Sequence, residues 1–377
     1  MMSLSFVKKI DWLLLLFILP IISAGLVTMK SFVPDSSGIS FFEKQIISIV
    51  FCLFIFFVFS FIDFRFLKRT DVLVILFLFF SSILLILFTL GHISHGAQSW
   101  FSFGIFSFQP GDMMKLVVIL ILAKYFSRRH VEIRNIKHIF ISGVYAVIPF
   151  CLVLFQPDFG SAIIIFFIWF GMTLVSGISK RHLALVGISG VLIFTVLWMS
   201  VFAPYQKARI LNFLNPLADI HGSGYNAFQS TIAVGSGKIL GKGVGFGTQS
   251  RLNFLPEYQT DFIFAAFAEE WGFVGVLLLF ILFALTIWRI LRNALLGSSN
   301  FEILFGLGVA IFLMSHILIN IGMNIGILPV TGITLPFMSY GGSHLLTEFM
   351  ALGILMSMRS YARVAHKDDM RNEFLGI

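Results

Sequence analysis

DVLVILFLFFSSILLILFTL (71–90) is a twenty-residue stretch with one charged residue, Asp71, at its first position. A helix of about 20 apolar residues is what crosses the ~30 Å hydrocarbon layer of a bilayer. Working outward, nine more such runs read as spans, at about 11–29, 46–62, 109–125, 138–155, 159–177, 183–203, 262–287, 303–322 and 343–358. The composition agrees. Of 377 residues, 58% are hydrophobic and only 12% are charged, and the mean hydropathy is +0.97. A soluble domain cannot hide that much apolar surface, and a disordered chain would not carry it. The sequence therefore predicts an all-α, polytopic membrane protein in which 1–377 form a single transmembrane domain. The run after Lys8 and Lys9 is too long for a signal peptide and is read as an uncleaved first span.

The formal net charge of +8 does not point to nucleic acid, because the basic residues sit at the ends of the spans. With the N-terminus placed in the cytoplasm, eighteen of the 26 Lys and Arg residues fall on the cytoplasmic side, as the positive-inside rule requires. Both termini are then cytoplasmic. Residues 204–261 become a 58-residue extracytoplasmic loop between the seventh and eighth spans. A loop of that length is usually functional, and YNAFQSTIAVGS (225–236) reads as a short amphipathic helix on the membrane face. There is no internal repeat, and none of the paired broken helices found in many transporters. Cys52 and Cys151 lie in apolar runs and are expected as free thiols.

Ionisable residues at membrane depth are costly and mark function by default. They gather at the outer ends of the spans: Asp112 and Lys115 in the fourth, Asp158 ahead of the sixth, and Asp261 at the start of the eighth, with Glu269 and Glu270 further in. Each has a plainer reading beside the functional one. Asp112 and Lys115, three residues apart, form a self-neutralising ion pair or present an amine ~7 Å below the helix start, a depth suited to a phosphate. Asp158 reads as an N-cap. Asp261 is either an acid favoured by the helix dipole or a reactive carboxylate above a stripe of small residues, Ala265, Ala268, Gly272 and Gly275. Trp100 reads as an interfacial aromatic. Glu269 and Glu270 are expected to pair with a neighbouring helix. Two apparent motifs fail. GSGKILGKG (235–243) has Ser236 where a phosphate-binding loop needs Gly. His92 and His95 lack companion metal ligands.

Four segments carry a resemblance: GAQSWFSFGIFSFQPGDMMK (96–115), QPDFGSA (156–162), the stretch 213–275 that ends GTQSRLNFLPEYQTDFIFAAFAEEWGFVG, and NIGMNIGILPVTGITLPFMSYGGSHLLT (320–347). In this order and spacing the chain resembles the SEDS family (shape, elongation, division and sporulation), and GTQS (247–250) is similar to its rod-elongation branch. The resemblance implies a peptidoglycan glycosyltransferase of the bacterial cytoplasmic membrane that polymerises lipid II, a disaccharide-pentapeptide on undecaprenyl pyrophosphate. It also implies a class B penicillin-binding protein as partner, within the rod-elongation complex. Residue by residue, it matches Asp261 to the family's essential acid, and Trp100, Lys115 and Asp158 to family positions. The chain departs at Ser99, where a basic residue is usual, at Gly111-Asp112 in place of Ser-Glu, and at Gln259 in place of His.

Such a transfer needs a base for the attacking hydroxyl and positive charge for the departing pyrophosphate. Asp261 is the expected base. Lys115 is the expected pyrophosphate ligand, with Lys242 or Arg251 of the long loop, or a divalent cation (Mg or Mn), assisting. Asp112, Asp158 and Trp100 complete the expected substrate-binding set. Two other classes fit a membrane protein of this kind: a flippase for lipid-linked sugars, which needs charges near the bilayer midplane, and a non-catalytic scaffold, which does not need Asp261.

Overall fold

A computed structural model describes residues 10–30, 40–90, 92–94, 97–103, 106–128, 136–200, 202, 204–215, 222, 224–252 and 254–375. Side chains are described through Ser360, apart from 88–99, 102–106 and 205. Lys8 and Lys9, ahead of the first expected span, and His95 lie outside the described residues.

Among the described residues, ten long helices form where apolar runs were read: α1 (Trp12–Lys30), α2 (Phe41–Phe61), α3 (Thr70–Leu90), α4 (Pro110–Ser127), α5 (Ile136–Phe155), α6 (Phe159–Val175), α7 (Lys180–Ser200), α11 (Ile263–Leu295), α12 (Asn300–Asn324) and α13 (Gly342–Leu375). Three shorter helices, α8 (Pro204–Leu214), α9 (Tyr225–Ser236) and α10 (Thr248–Arg251), lie in the long loop. α9 has the bounds expected for the amphipathic stretch. Seven of the long helices are long and apolar enough to cross a membrane. α6 is apolar but has 17 residues, and α4 and α13 carry buried charges. The chain is a multi-pass helical membrane protein.

Local sequence explains the helix ends. Ser40 caps α2 through a reciprocal box with Glu43, which satisfies two otherwise orphaned N–H groups. Pro110 begins α4, where a missing N–H costs nothing. Between helices, close approach needs small residues, because lipid offers no hydrophobic drive for association. At Gly160, the second residue of α6, an added Cβ would lie 2.6 Å from the Thr331 carbonyl oxygen. The segment 329–341 therefore seats directly on the start of α6.

Between α3 and α4 the chain forms a small antiparallel sheet, β1 (His92–Ser94), β2 (Ala97–Phe103) and β3 (Phe106–Phe108). Phe101 opposes Phe108 and Phe103 opposes Phe106.

The eighth span also differs from expectation. α11 is broken at Gly272, with φ 63° and ψ −167°, a region open to glycine and strained for any other residue. The expected continuous stripe therefore ends at Ala268. The stripe is also occupied by this chain, since Gly237 of the long loop packs against the Ala268 carbonyl.

The ends that the basic residues assign to the cytoplasm meet in space. Asp11 receives Arg289 at 2.5 Å, Asn293 at 2.7 Å and Arg359 at 3.2 Å. Lys68 reaches the buried Glu302 at 2.7 Å. Burial alone would raise the Asp11 pKa, but hydrogen bonds from Arg289 and Asn293 and the charge of Arg359 hold it below the usual carboxylate range. Cys52 and Cys151 are free thiols.

Candidate active site

The opposite end of the bundle collects the other polar groups. Asp261 lies in the turn before α11, whose N-cap is Phe262. Three successive main-chain carbonyls fix this turn to one distant stretch of chain. The Gln259 carbonyl accepts from the Tyr340 N–H at 2.8 Å, and the Thr260 carbonyl from Ser339 Oγ at 2.7 Å. The Asp261 carbonyl accepts from Asn320 Nδ2 at 2.9 Å and Asn324 Nδ2 at 3.0 Å. Asn324 also takes the Ala265 N–H at 3.2 Å through its side-chain oxygen, so one amide spans the helix start. Both asparagines are fully buried in α12, where an unsatisfied amide would be costly. Their geometry is therefore tightly determined. The carboxylate of Asp261 faces Gly332: a Cβ at that glycine would stand 3.5 Å from Asp261 Oδ2.

Beneath the segment 329–341 lies a buried charged group. Lys115 Nζ and Asp112 Oδ1 are 2.8 Å apart on α4, and each residue is 2% exposed. His344, at the start of α13, sits between two carboxylates, with Nδ1 3.6 Å from Asp112 and Nε2 3.0 Å from Glu348. The rings of His316 and His344 are 4.3 Å apart, and His316 Nδ1 meets the Thr334 carbonyl at 3.2 Å. Glu348 accepts from the N–H of Phe337 at 3.1 Å.

Asp158 caps α6, accepting from the Ser161 N–H at 3.0 Å. It also receives Gln109 Nε2 at 2.7 Å, and the Gln109 N–H donates to Ser343 Oγ at 3.0 Å. Asp158 is thus an N-cap that ties α6 to the start of α4 and, through Gln109, to α13. Trp100 stands on β2, paired in register with His92, on the same connection that enters α4. A small crevice lined by Pro157, Arg209, Pro329 and Thr331 opens beside this group.

Lys242 and Arg251 belong to a different constellation. Lys242 Nζ lies 2.7 Å from Glu269 and 2.8 Å from Thr248 Oγ1. Glu269, fully buried, also accepts from the Thr248 and Gln249 N–H groups at 2.9 and 3.2 Å. The expected helix partner of Glu269 is thus this chain's own loop. Glu270 likewise accepts from the Gly245 N–H at 2.9 Å. Arg251 is exposed and reaches the Gly245 carbonyl at 3.4 Å.

The structure therefore brings Asp261, Asp112, Lys115 and Asp158 to one end through the shared scaffold of 320–348. It places Lys242 on Glu269 and Arg251 on the Gly245 carbonyl, within the long loop. Reading the sequence for ionisable residues missed Asn320 and Asn324, although two amides four residues apart in an apolar helix are themselves a signal. It also missed His316, His344 and Glu348. Among the described residues, no group of three or more His, Cys, Asp or Glu side chains is placed to hold a metal ion.

Residues 6–364 match the family model of the cell cycle proteins FtsW, RodA and SpoVE. Stage V sporulation protein E of Bacillus subtilis is 39% identical over 288 residues, covering 76% of this chain and 77% of its own length. Peptidoglycan glycosyltransferase MrdB of Escherichia coli is 40% identical over 280 residues, covering 74% and 75%. Among solved structures, the rod shape determining protein RodA of Thermus thermophilus superposes with a TM-score of 0.69 at 28% identity, over 93% of this chain and 96% of that one. A chain from a structure described as "Structural coordination of polymerization and crosslinking by a peptidoglycan synthase complex" gives 0.78 at 30% identity, over 93% and 98%.

Proposed function

The chain belongs to the FtsW, RodA and SpoVE family of cell cycle proteins, and from that premise we propose that it is a peptidoglycan glycosyltransferase polymerising lipid II during rod-shape elongation. The observation that carries this reading is the convergence of four separate stretches, 109–115, 156–161, 259–261 and 320–348, on one end of the helix bundle. A flippase needs its charges near the midplane, and this arrangement is concentrated at one surface.

In the proposed reaction a sugar hydroxyl attacks the anomeric carbon of a second lipid-linked sugar, and undecaprenyl pyrophosphate leaves. An α-linked donor giving a β-linked product requires inversion by direct displacement, so no covalent enzyme intermediate forms. Asp261 takes the hydroxyl proton. Its main chain is held by Asn320 and Asn324, so the carboxylate is set in place before the substrate arrives. Lys115 supplies positive charge to the pyrophosphate. Asp112 holds that ammonium in the apolar interior, where a lone charge would be expensive. Asp158 fixes the starts of α4 and α6 around the site. Lys242 is committed to Glu269 and Arg251 reaches the Gly245 carbonyl, so neither is given a step in this reaction. A divalent cation, Mg or Mn, would add positive charge at the pyrophosphate, but no residue of this chain is assigned to it and no step runs through it. Trp100 borders the substrate from β2.

The site faces the outer side of the bacterial cytoplasmic membrane in this reading, where lipid II is consumed. The partner is a class B penicillin-binding protein of the rod-elongation complex, which cross-links the new strands. The test is purified protein incubated with labelled lipid II. Glycan polymer is expected. Intact lipid II after long incubation, with and without a co-purified transpeptidase, would leave the scaffold reading in its place.

A further inference from the structure

The break in α11 receives part of the long loop. The N–H groups of Lys242 and Gly243 donate to the carbonyls of Glu269 and Glu270, both at 3.0 Å. Below the break, the N–H groups of Phe273 and Val274 donate to the carbonyls of Lys238 and Ile239 at 2.9 and 3.1 Å. Residues 238–243 are therefore level with 269–274 and share their depth.

That depth follows from the inner end of the same helix. Trp288 and Arg292 lie 5.2 Å apart as a cation–π pair, and Arg289 binds Asp11 ahead of α1. Aromatic and basic residues together mark a membrane interface. Gly272 stands seventeen residues above Arg289, or about 25 Å along a helix, inside a hydrocarbon layer of ~30 Å. The loop reaches this level with its backbone groups paired to the broken helix, as irregular chain in a bilayer must. Its side chains point away from the protein: Ile239 is 67% exposed, Leu240 80% and Phe246 68%. Phe273, beside them on the helix, is 63% exposed. Two charged side chains here are exposed: Lys238, whose stem is long enough to reach the headgroups, and Lys242, whose ammonium is neutralised by Glu269 at 2.7 Å.

We propose that the turn 239–246 is inserted into the outer leaflet, with Ile239, Leu240 and Phe246 in contact with lipid acyl chains. The long loop is then not wholly extracytoplasmic. It dips into the membrane, closes over Glu269, and returns through α10 to present Asp261 at headgroup height. The insertion needs only a membrane span at α11 and stands whether or not the chain polymerises lipid II.

The test uses the full chain with Cys52 and Cys151 replaced by Ala, reconstituted in phosphatidylcholine–phosphatidylglycerol vesicles. A nitroxide is attached at Leu240→Cys and, separately, at Phe246→Cys, so that one poorly folding variant does not decide the matter. Ile193→Cys on the exposed face of α7 is the acyl-chain reference, and Asp63→Cys in an exposed turn is the aqueous one. The expected result is collision with oxygen at the level of the Ile193 label and exclusion of a water-soluble nickel chelate. Nickel access at the level of the Asp63 label would overturn the proposal and put the turn in water. Shielding from both reagents would also overturn it, because protein rather than lipid would then cover these side chains.

Discussion

Asn324 donates to the main-chain carbonyl of Asp261 at 3.0 Å and accepts the Ala265 N–H at 3.2 Å, so one buried amide straddles the turn into α11. This grip positions Asp261 through its main-chain carbonyl. Asn324→Leu removes both bonds. The expected outcome is a rate of lipid II polymerisation lower by about 10²-fold, the scale of a misplacement near 1 Å, and a stability loss of about 1–3 kcal/mol. Activity within a few-fold of wild type would mean that Asn320 and the segment 329–341 suffice to hold the turn.

The Asp112–Lys115 pair gives a second test. Breaking a buried pair from one side costs about 3–5 kcal/mol, so Lys115→Met alone confounds folding with function. Lys115→Met combined with Asp112→Leu removes both charges and is expected to restore most of that stability. If Lys115 meets the pyrophosphate, the double variant stays folded and polymerises poorly. Recovery of normal turnover in the double variant would show that the lysine serves only to neutralise Asp112.

Asp11 sets an acid limit at the other end of the bundle. Its folded pKa lies below the ordinary value because Arg289, Asn293 and Arg359 outweigh burial. A carboxylate with a depressed folded pKa stabilises the fold above its unfolded value, about 3.9, and that contribution is lost as pH falls through the folded pKa. Apparent melting temperature in detergent is expected to drop as the pH falls below about 4, and to drop less in Asp11→Asn, which starts lower at pH 7. Parallel pH profiles for the two proteins would remove Asp11 from the acid response.

Orientation is tested on the long loop. Leu252 is 60% exposed, and Leu252→Cys on the cysteine-free background is expected to react with an impermeant maleimide in intact cells. Labelling only after the membrane is opened would reverse the topology and remove the site from the face where lipid II is consumed.

Most of the architecture was legible because helix spans follow from composition. Ten apolar runs became ten helices, and even α9 kept its bounds. The departures have specific causes. The sheet of β1, β2 and β3 is not legible from hydropathy, which marks its stretch only as a gap between two spans. The break at Gly272 was hidden inside an unbroken apolar run, and what opens it is a loop 30 residues upstream in sequence, Lys238–Gly243. Asp261, Lys115, Asp112 and Asp158 stood out as charges near membrane depth. Asn320, Asn324 and His344 did not, because uncharged amides and a histidine near a helix end raise no alarm on hydropathy. They nonetheless hold the charged residues in place.

The most direct measurement concerns Asp261 itself. Asp261→Asn keeps the size of the side chain and the main-chain bonds to Asn320 and Asn324, so stability is expected to change by about 1 kcal/mol or less. Asn cannot accept the proton of the attacking hydroxyl, so polymer formation from labelled lipid II is expected to fall by about 10²–10⁴-fold, with thermal stability in detergent and lipid II binding unchanged. Wild-type polymerisation by Asp261→Asn would contradict its role as the base and return Asp261 to a structural acid at the head of α11.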